Sequence, residues 1–284
     1  MKAVAEIDVA GAEHALVDRI LALVRQRTGT DFSLYRQPTV RRRIGNRMIS
    51  LGIAALDEYA RYLDATRGEA LQLLARLTIK VSRFYRNRAT FDHLRSCVIP
   101  ELARAGEPLR IWSAGCGCGE EAYTLAMLLA DAGVPGTVHA TDIDPQALDR
   151  AAAAIYGPDA LDDLPCDLAA RFLQPIRDPS APCYRVRENV RDRVVFARYD
   201  ITGEASLPTG APFDLVAFRN VAIYFRRDVH DEVFARVVAA LRPGGYLCLG
   251  EAEWPPASLE PHLCCAVRRL RLFRSGWALG AEAA

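Results

Sequence analysis

Leu109-Arg-Ile-Trp-Ser-Ala-Gly-Cys-Gly-Cys-Gly-Glu-Glu121 is the stretch that decides the fold. Leu109 to Ser113 reads as a buried strand and Glu120 to Ala132 as a helix. Between them, Gly115, Gly117 and Gly119 form a turn that lets backbone approach a ligand with no Cβ in the way. Strand, glycine turn and helix in that order are a weak signal alone. It strengthens because the next strand, Thr137 to Asp142, ends in an acid about twenty residues further on, where a carboxylate can accept both hydroxyls of a ribose.

Two cofactor classes share this layout, dinucleotides and S-adenosylmethionine. A dinucleotide turn offers bare helix N–H groups to a pyrophosphate. Here Glu120 and Glu121 open the helix, which suits the helix dipole and repels a second anion. A cationic sulfonium that carries a ribose fits better.

Outward from this stretch the same rhythm continues. Pro145 to Ile155 and Arg227 to Leu241 read as helices, and Val194 to Tyr199, Phe213 to Arg219 and Tyr246 to Glu251 as strands. Such alternation predicts a mostly parallel α/β sheet. Residues 157–193 interrupt it with five prolines and then the alternating Tyr184-Arg-Val-Arg187, an insertion carrying a small β element. Towards the N-terminus, Leu16, Ile20, Leu23, Val24, Ile44, Met48, Tyr59, Leu63, Leu71, Leu74 and Leu77 recur at helical spacing. Pro38 suits the first turn of an arginine-rich helix and Gly52 its C-cap. Residues 1–88 are therefore expected to form an all-helical domain, 89–108 a helical linker, and 109–284 the α/β domain.

The chain of 284 residues is 51% hydrophobic and 25% charged, a globular composition and not a disordered one. Its longest charge-free apolar stretch, Ala122 to Ala130, falls short of the ~20 residues that cross a bilayer. Glu6, Asp8 and Glu13 interrupt any signal-like run, so a cytoplasmic protein with no membrane insertion is expected. The cysteines are scattered and form no CxxC; Cys116-Gly-Cys118 has no histidine at zinc spacing, so reduced thiols and no metal are expected.

A net charge of +1 hides a local asymmetry. Between Ser33 and Ser50 stand Arg36, Arg41, Arg42, Arg43 and Arg47 with no acid, and between Leu77 and Phe91 stand Lys80, Arg83, Arg86 and Arg88, again with no acid. An anionic partner could dock there, although a charge run also reads as a solvated helix face. Nucleic acid is not expected along Arg36 to Arg47, since no aromatic residues interleave those arginines and no recognition motif is present.

The residues that carry a family likeness are Thr78-Ile-Lys-Val-Ser-Arg-Phe-Tyr-Arg86, Trp112-Ser-Ala-Gly-Cys-Gly-Cys-Gly-Glu-Glu-Ala-Tyr123, Ala140-Thr-Asp-Ile-Asp144, Phe213-Asp-Leu-Val-Ala-Phe-Arg-Asn-Val-Ala-Ile-Tyr-Phe225 and Leu241-Arg-Pro-Gly-Gly245. In order and spacing, over about residues 15–275, they resemble the CheR-type chemoreceptor glutamate O-methyltransferases. The resemblance implies a class I, Rossmann-like S-adenosylmethionine-dependent methyltransferase domain with a small β insertion, preceded by an all-helical N-terminal domain. It implies that Glu120 contacts the methionine amino group, that Asp142 holds the ribose, and that Asp200 meets the adenine amine with Ile201 beside the ring. Gly115 lies in the cofactor turn, and Asn220 and Val221 stand near the methyl group with Tyr224 close by. Lys80, Ser82 and Arg86 reach the cofactor from the N-terminal side, and Arg86 and Tyr224 act in catalysis. The departures from the family pattern are Ile79, Lys80, Ser82, Tyr85 and Cys118, and they bear on cofactor affinity.

The implied product is S-adenosylhomocysteine. The implied partner is the cytoplasmic helical bundle of a methyl-accepting chemoreceptor, docked by a monomer along Arg36, Arg42, Arg43 and Arg47. A glutamate carboxylate, with an ordinary pKa near ~4.3, is already an anion at neutral pH and needs no general base. It needs alignment, with its oxygen held ~3 Å from the methyl carbon, and Arg86 can orient it by a charge-assisted hydrogen bond.

Two rivals are weighed against this. A nucleic-acid methyltransferase would carry Asn/Asp-Pro-Pro-Tyr or a nucleophilic cysteine after the fourth strand, where this chain has Arg219-Asn-Val-Ala-Ile-Tyr-Phe225. A non-catalytic S-adenosylmethionine-binding signalling module is allowed by Lys80 and Ser82 and opposed by the retention of Glu120, Asp142, Asn220 and Arg86 together.

Overall fold

Helices α1 (Lys2–Thr28), α2 (Gln37–Leu51), α3 (Leu56–Ala65) and α4 (Glu69–Leu77) follow one another from the N-terminus. They belong to a computed structural model that describes residues 2–78, 82–176, 182–203 and 206–276, with side chains from residue 13 onward. The helical spacing explains the packing: Val17, Ile20, Leu21 and Val24 of α1 meet Val40, Ile44 and Met48 of α2 and Tyr59, Leu63, Leu73, Leu74 and Leu77 of the next two helices in one core. Burying each of the larger side chains contributes roughly 1.5–3 kcal/mol. Pro38 sits in the first turn of α2, where a missing N–H costs nothing, and Gly52 closes it in the left-handed region at φ 71°. This first compact unit also takes Tyr224–Val229. Tyr35 pairs with Phe225, the Arg36 N–H donates to the Tyr224 carbonyl (2.9 Å), and the Arg226 N–H donates to the Leu34 carbonyl (3.0 Å).

The second unit opens with α5 (Arg88–His93), which continues through a π-helical turn at Leu94–Val98 into α6 (Ile99–Ala103). There follow β1 (Leu109–Ala114), α7 (Glu120–Asp131), β2 (Gly136–Asp142), α8 (Pro145–Ala153), β3 (Ile155–Tyr156), α9 (Cys166–Phe172), β4 (Leu173–Ile176), β5 (Cys183–Val186) and α10 (Glu188–Arg191). The chain ends with β6 (Val194–Arg198), β7 (Phe213–Phe218), α11 (Arg227–Ala239), β8 (Leu241–Leu249), β9 (Leu263–Val267) and β10 (Leu272–Ser275).

Among the described residues the main sheet has the order β6-β2-β1-β7-β8-β10-β9. The strands from β6 to β8 pair in parallel, and β10 joins β8 and β9 antiparallel. β7 is buried along its whole length, as a parallel strand covered on both faces must be. From β1 the chain steps to β2 on one side and later to β7 on the other, so the strand order reverses between β1 and β7. In open α/β sheets the crevice beyond the carboxyl ends of the strands at such a reversal is where ligands bind.

The structure differs from the sequence reading in four places. The insertion begins at Ile155, because Ala154 at φ 55° ends α8, and it forms a three-stranded antiparallel sheet in the order β3-β5-β4. β8 begins at Leu241 and not at Tyr246, with a register shift where Phe213 and Leu215 meet it. The β9–β10 pair was not foreseen; β9 is an edge strand whose Cys264, Cys265 and Ala266 are all exposed, so it carries no alternating pattern. Finally, the packing divides near residue 79 and not at 88. Phe84 and Tyr85 are buried in the second unit's core, and the Phe84 N–H donates to the Ala160 carbonyl (2.9 Å). No helix among the described residues is long and apolar enough to cross a membrane.

Candidate functional site

The glycine turn after β1 is anchored from β2. The Gly115 and Cys116 N–H groups donate to the Thr141 carbonyl (2.8 and 2.9 Å), and the Trp112 indole donates to the Thr141 hydroxyl (2.9 Å). Gly115 lies at φ 78°, and a Cβ there would stand 2.5 Å from Val221 Cγ2. The turn after β7 is thus packed directly on the turn after β1, and only glycine allows it.

Three acids surround this turn and do different work. Asp142, at the end of β2, accepts the Gly117 N–H on Oδ2 (2.8 Å) and the Asp144 N–H on Oδ1 (3.0 Å), which fixes its carboxylate against the turn. Glu120 is buried; the Ser82 hydroxyl donates to its carboxylate, and its Oε2 has no hydrogen-bond partner among the described residues. Burial pushes this carboxyl above the usual carboxylate range, with the Ser82 bond pulling the other way. Glu121, its neighbour in sequence, instead accepts the Ser113 hydroxyl (2.8 Å) and Arg219 Nη1 (3.1 Å). Tyr156 donates to the Cys118 carbonyl (2.7 Å) and walls the same turn.

Arg219, at the end of β7, organises the loop of Arg86. Its side chain is 3% exposed, and its guanidinium lies 4.9 Å over the Phe91 ring and donates to the Arg86 carbonyl (2.9 Å) and the Asn87 side-chain oxygen (2.6 Å). On either side of Arg86, Tyr85 and Asn87 both adopt left-handed backbone, at φ 60° and 66°. For a tyrosine this is a rare and strained conformation, kept only where surrounding contacts over-determine it. Here the Tyr85 N–H donates to the Thr124 hydroxyl (3.1 Å) and its phenol to Asp92 (3.0 Å).

Asp200 and Ile201 follow β6, at the same end of the sheet as Asp142, and the Tyr199 N–H donates to the Asp142 carbonyl (3.1 Å). Asp200 Oδ1 accepts both the N–H and the hydroxyl of Thr202 (2.9 and 2.6 Å), an Asx turn. Asn220 and Val221 form the turn after β7, and their N–H groups donate to buried Glu253 (2.8 and 2.9 Å). Gly115, Ser82, Arg86, Glu120, Asp142, Asp200, Ile201, Asn220 and Val221 all belong to the second unit, whereas Tyr224 packs with the first. Lys80 lies outside the described residues.

The arginines expected to dock a partner fall into two groups. Arg36 and Arg42 are exposed. Arg43 donates to the carbonyls of Arg76 (2.6 Å), Leu77 and Thr78 (both 3.4 Å) and so caps the end of α4. Arg47 grips Glu69 with two hydrogen bonds (2.9 and 2.6 Å); Glu69 is buried and also accepts the Tyr59 phenol (2.8 Å). That acid comes from another helix, so the acid-free run Ser33 to Ser50 could not reveal it. Arg42, Arg43, Asn46, Arg47, Ser50 and Arg76 line a concavity of about 420 Å³.

Sequence reasoning passed over Arg219, Tyr156, Arg76 and Glu253. Arg219 stands as a lone charge at the end of an apolar strand, the one signal that could have marked it, whereas Glu253 lies four residues past β8 with Glu251 between and carries no such signal. Among the described residues no group of three or more His, Cys, Asp or Glu is gathered that could hold a metal.

The site takes an S-adenosylmethionine on its own terms. A buried carboxylate oxygen without a partner among the described residues is an expensive arrangement that a cationic ligand could relieve, and the glycine turn leaves the backbone bare beside it. Residues 80–262 match the family model described as CheR methyltransferase, SAM binding domain, and residues 15–78 match CheR methyltransferase, all-alpha domain. The chain is 33% identical over 230 residues to chemotaxis protein methyltransferase 2 of Pseudomonas aeruginosa, covering 80% of this chain and 81% of that one. It is 33% identical over 245 residues to the chemotaxis protein methyltransferase of Escherichia coli, covering 83% and 82%. An uncharacterized 104.1 kDa protein of Rhodobacter capsulatus is 35% identical over 244 residues; the chain spans only 25% of its length.

Proposed function

Because the chain belongs to the CheR methyltransferase family, as an S-adenosylmethionine-dependent methyltransferase with a Rossmann-like class I domain, we propose that it methylates glutamate side-chain carboxylates. The glutamates belong to the cytoplasmic helical bundle of chemoreceptors, and the methyl esters serve chemotactic adaptation. The enzyme acts in the cytoplasm as a single chain. The observation that carries this reading is the buried Glu120 oxygen beside the glycine turn, without a hydrogen-bond partner among the described residues, a place suited to the cofactor's ammonium.

When bound, S-adenosylmethionine supplies an electrophilic methyl group on a cationic sulfur. Glu120 holds its amino group, Asp142 the ribose, and Asp200 with Ile201 the adenine; Gly115, Asn220 and Val221 line the cofactor, and Lys80, Ser82 and Arg86 complete the site. With the cofactor held this way, its methyl would be open to in-line displacement by a receptor carboxylate oxygen, the C–O bond forming at the expense of the C–S bond and the bonding pair passing to sulfur. No proton is released, so the protein's part is to align and dehydrate, with Arg86 and Tyr224 orienting the carboxylate. Arg36 and Arg42 meet the acidic bundle, and two relatives named as chemotaxis protein methyltransferases support that partner.

Incubation of the chain with methyl-labelled cofactor and a purified receptor cytoplasmic fragment tests this. Label on the fragment supports the enzyme. Cofactor binding with no transfer, on fragments from several receptors, would favour the non-catalytic signalling module instead.

A further inference from the structure

We propose that Glu253 is a positioning residue for the cofactor site: its carboxylate holds the turn after β7 in the shape that sets Asn220 and Val221 against the glycine turn. Glu253 is 3% exposed. Its Oε2 accepts the N–H groups of Asn220 and Gly250 (both 2.8 Å), and its Oε1 accepts those of Val221 (2.9 Å) and Ala222 (2.8 Å). Three consecutive amides of one turn and a fourth from the end of β8 therefore converge on a single side chain.

An ionised carboxylate is acceptor-only and offers about four lone-pair sites, so these four donors match its capacity. Bonds to an ionised acceptor are the strong kind, and here they tie together the carboxyl ends of β7 and β8. The approach depends on a bare backbone: a Cβ on Gly250 would stand 2.7 Å from Glu253 Oε2 and 2.8 Å from Asn220 Nδ2. Asn220 itself is left-handed at φ 60°, a conformation that asparagine tolerates and in which its N–H reaches Glu253 Oε2.

The consequence reaches the ligand because of where the turn lies. It borders the crevice at the strand-order reversal, and Val221 presses on the position where Gly115 lacks a Cβ. If the four amides were released, the turn could relax and Val221 would shift relative to the glycine turn. Glu253 touches neither cofactor nor substrate in this reading; it acts through Asn220 and Val221, and the proposal rests on their lining the cofactor.

The test is Glu253→Gln in the full chain, with S-adenosylhomocysteine as the probe. Glutamine keeps the shape but points an NH₂ at two amide donors, so product affinity should fall about tenfold or more, the loss expected when bonds to a charged acceptor are broken. The KM for S-adenosylmethionine should rise in step. The amide resonances of Asn220, Val221, Ala222 and Gly250 should shift while the helical unit's resonances stay in place, a signature that general destabilisation would not give. Wild-type affinity in the variant, together with product-induced shifts of Asn220 and Val221 in the wild type, would overturn the proposal alone. Wild-type Asn220 and Val221 amides unmoved by saturating product would remove the reading beneath it and the proposal with it. Should Glu253→Gln fail to fold, the wild type still decides: the four amides must resist hydrogen exchange before any product is added. Rapid exchange that slows only on adding product would overturn the proposal.

Discussion

Arg219 donates a hydrogen bond from its guanidinium to the backbone carbonyl of Arg86, 2.9 Å away, and so ties the end of β7 to the loop that carries the proposed carboxylate-orienting arginine. The same guanidinium pairs with Glu121 at 3.1 Å. One buried cation thereby pairs with a largely buried acid and fixes a strained loop. Lysine cannot reproduce this fork. Arg219→Lys is expected to lower turnover while leaving the dissociation constant of S-adenosylhomocysteine little changed. Arg219→Ala, which strands Glu121, should cost about 3–5 kcal/mol of stability in denaturant unfolding.

Asp142→Ala should abolish most cofactor affinity in calorimetry. Ribose hydrogen bonds to an ionised acceptor are worth about 1.5–3 kcal/mol each. The substitution also frees the Gly117 N–H that the carboxylate holds at 2.8 Å. An unchanged affinity would move the ribose elsewhere.

Glu120 couples stability to function with opposite signs. Its folded-state pKa is raised by burial, so the ligand-free protein holds the proton to higher pH than the unfolded chain does, and its stability falls as pH rises through the raised value. Glu120→Gln should therefore raise the melting temperature of the ligand-free protein at neutral pH and weaken product binding. In the wild type, product affinity should drop as pH falls through that raised pKa, because the ammonium pairs with the ionised acid. A variant both less stable and equally tight in binding would contradict this role.

The basic face of the helical unit should separate into two kinds of arginine. Arg47→Ala leaves Glu69 buried without its charge partner and is expected to cost about 3–5 kcal/mol of stability. Arg42→Ala, on an exposed side chain, should change stability by less than about 0.5 kcal/mol. If this face docks an acidic bundle, Arg36→Ala with Arg42→Ala should raise the KM for the receptor fragment, with the effect shrinking as salt screens it. Normal receptor kinetics at low salt would return the face to the solvent.

What was legible in the sequence was what is local. The strand, glycine turn and acid of residues 109–142 announced the sheet's central strands and the cofactor turn, since each depends on a few neighbouring residues. Pro38 and Gly52 bounded α2 for the same reason. What remained hidden is non-local: the Arg47–Glu69 pair joins two helices, Glu253 gathers amides from two strand ends, and Arg219 reaches back to residues 86 and 87. Glu120 and Glu121 look alike in sequence, and only packing separates the acid left open for a ligand from the acid spent on Arg219. The β9–β10 pair escaped notice because its exposed cysteines and short apolar runs carry no clean period.

The most direct measurement is to locate the transferred methyl by tandem mass spectrometry of a receptor cytoplasmic fragment after reaction with this chain and S-adenosylmethionine, before and after mild base. The expected result is a methyl group on glutamate side chains that base removes as methanol, and that is lost when Arg86→Ala replaces the wild type, to a far greater degree than product binding is weakened. A methyl that survives base on a nitrogen or sulfur atom, or no transfer at saturating cofactor and fragment, would contradict the carboxylate as the acceptor.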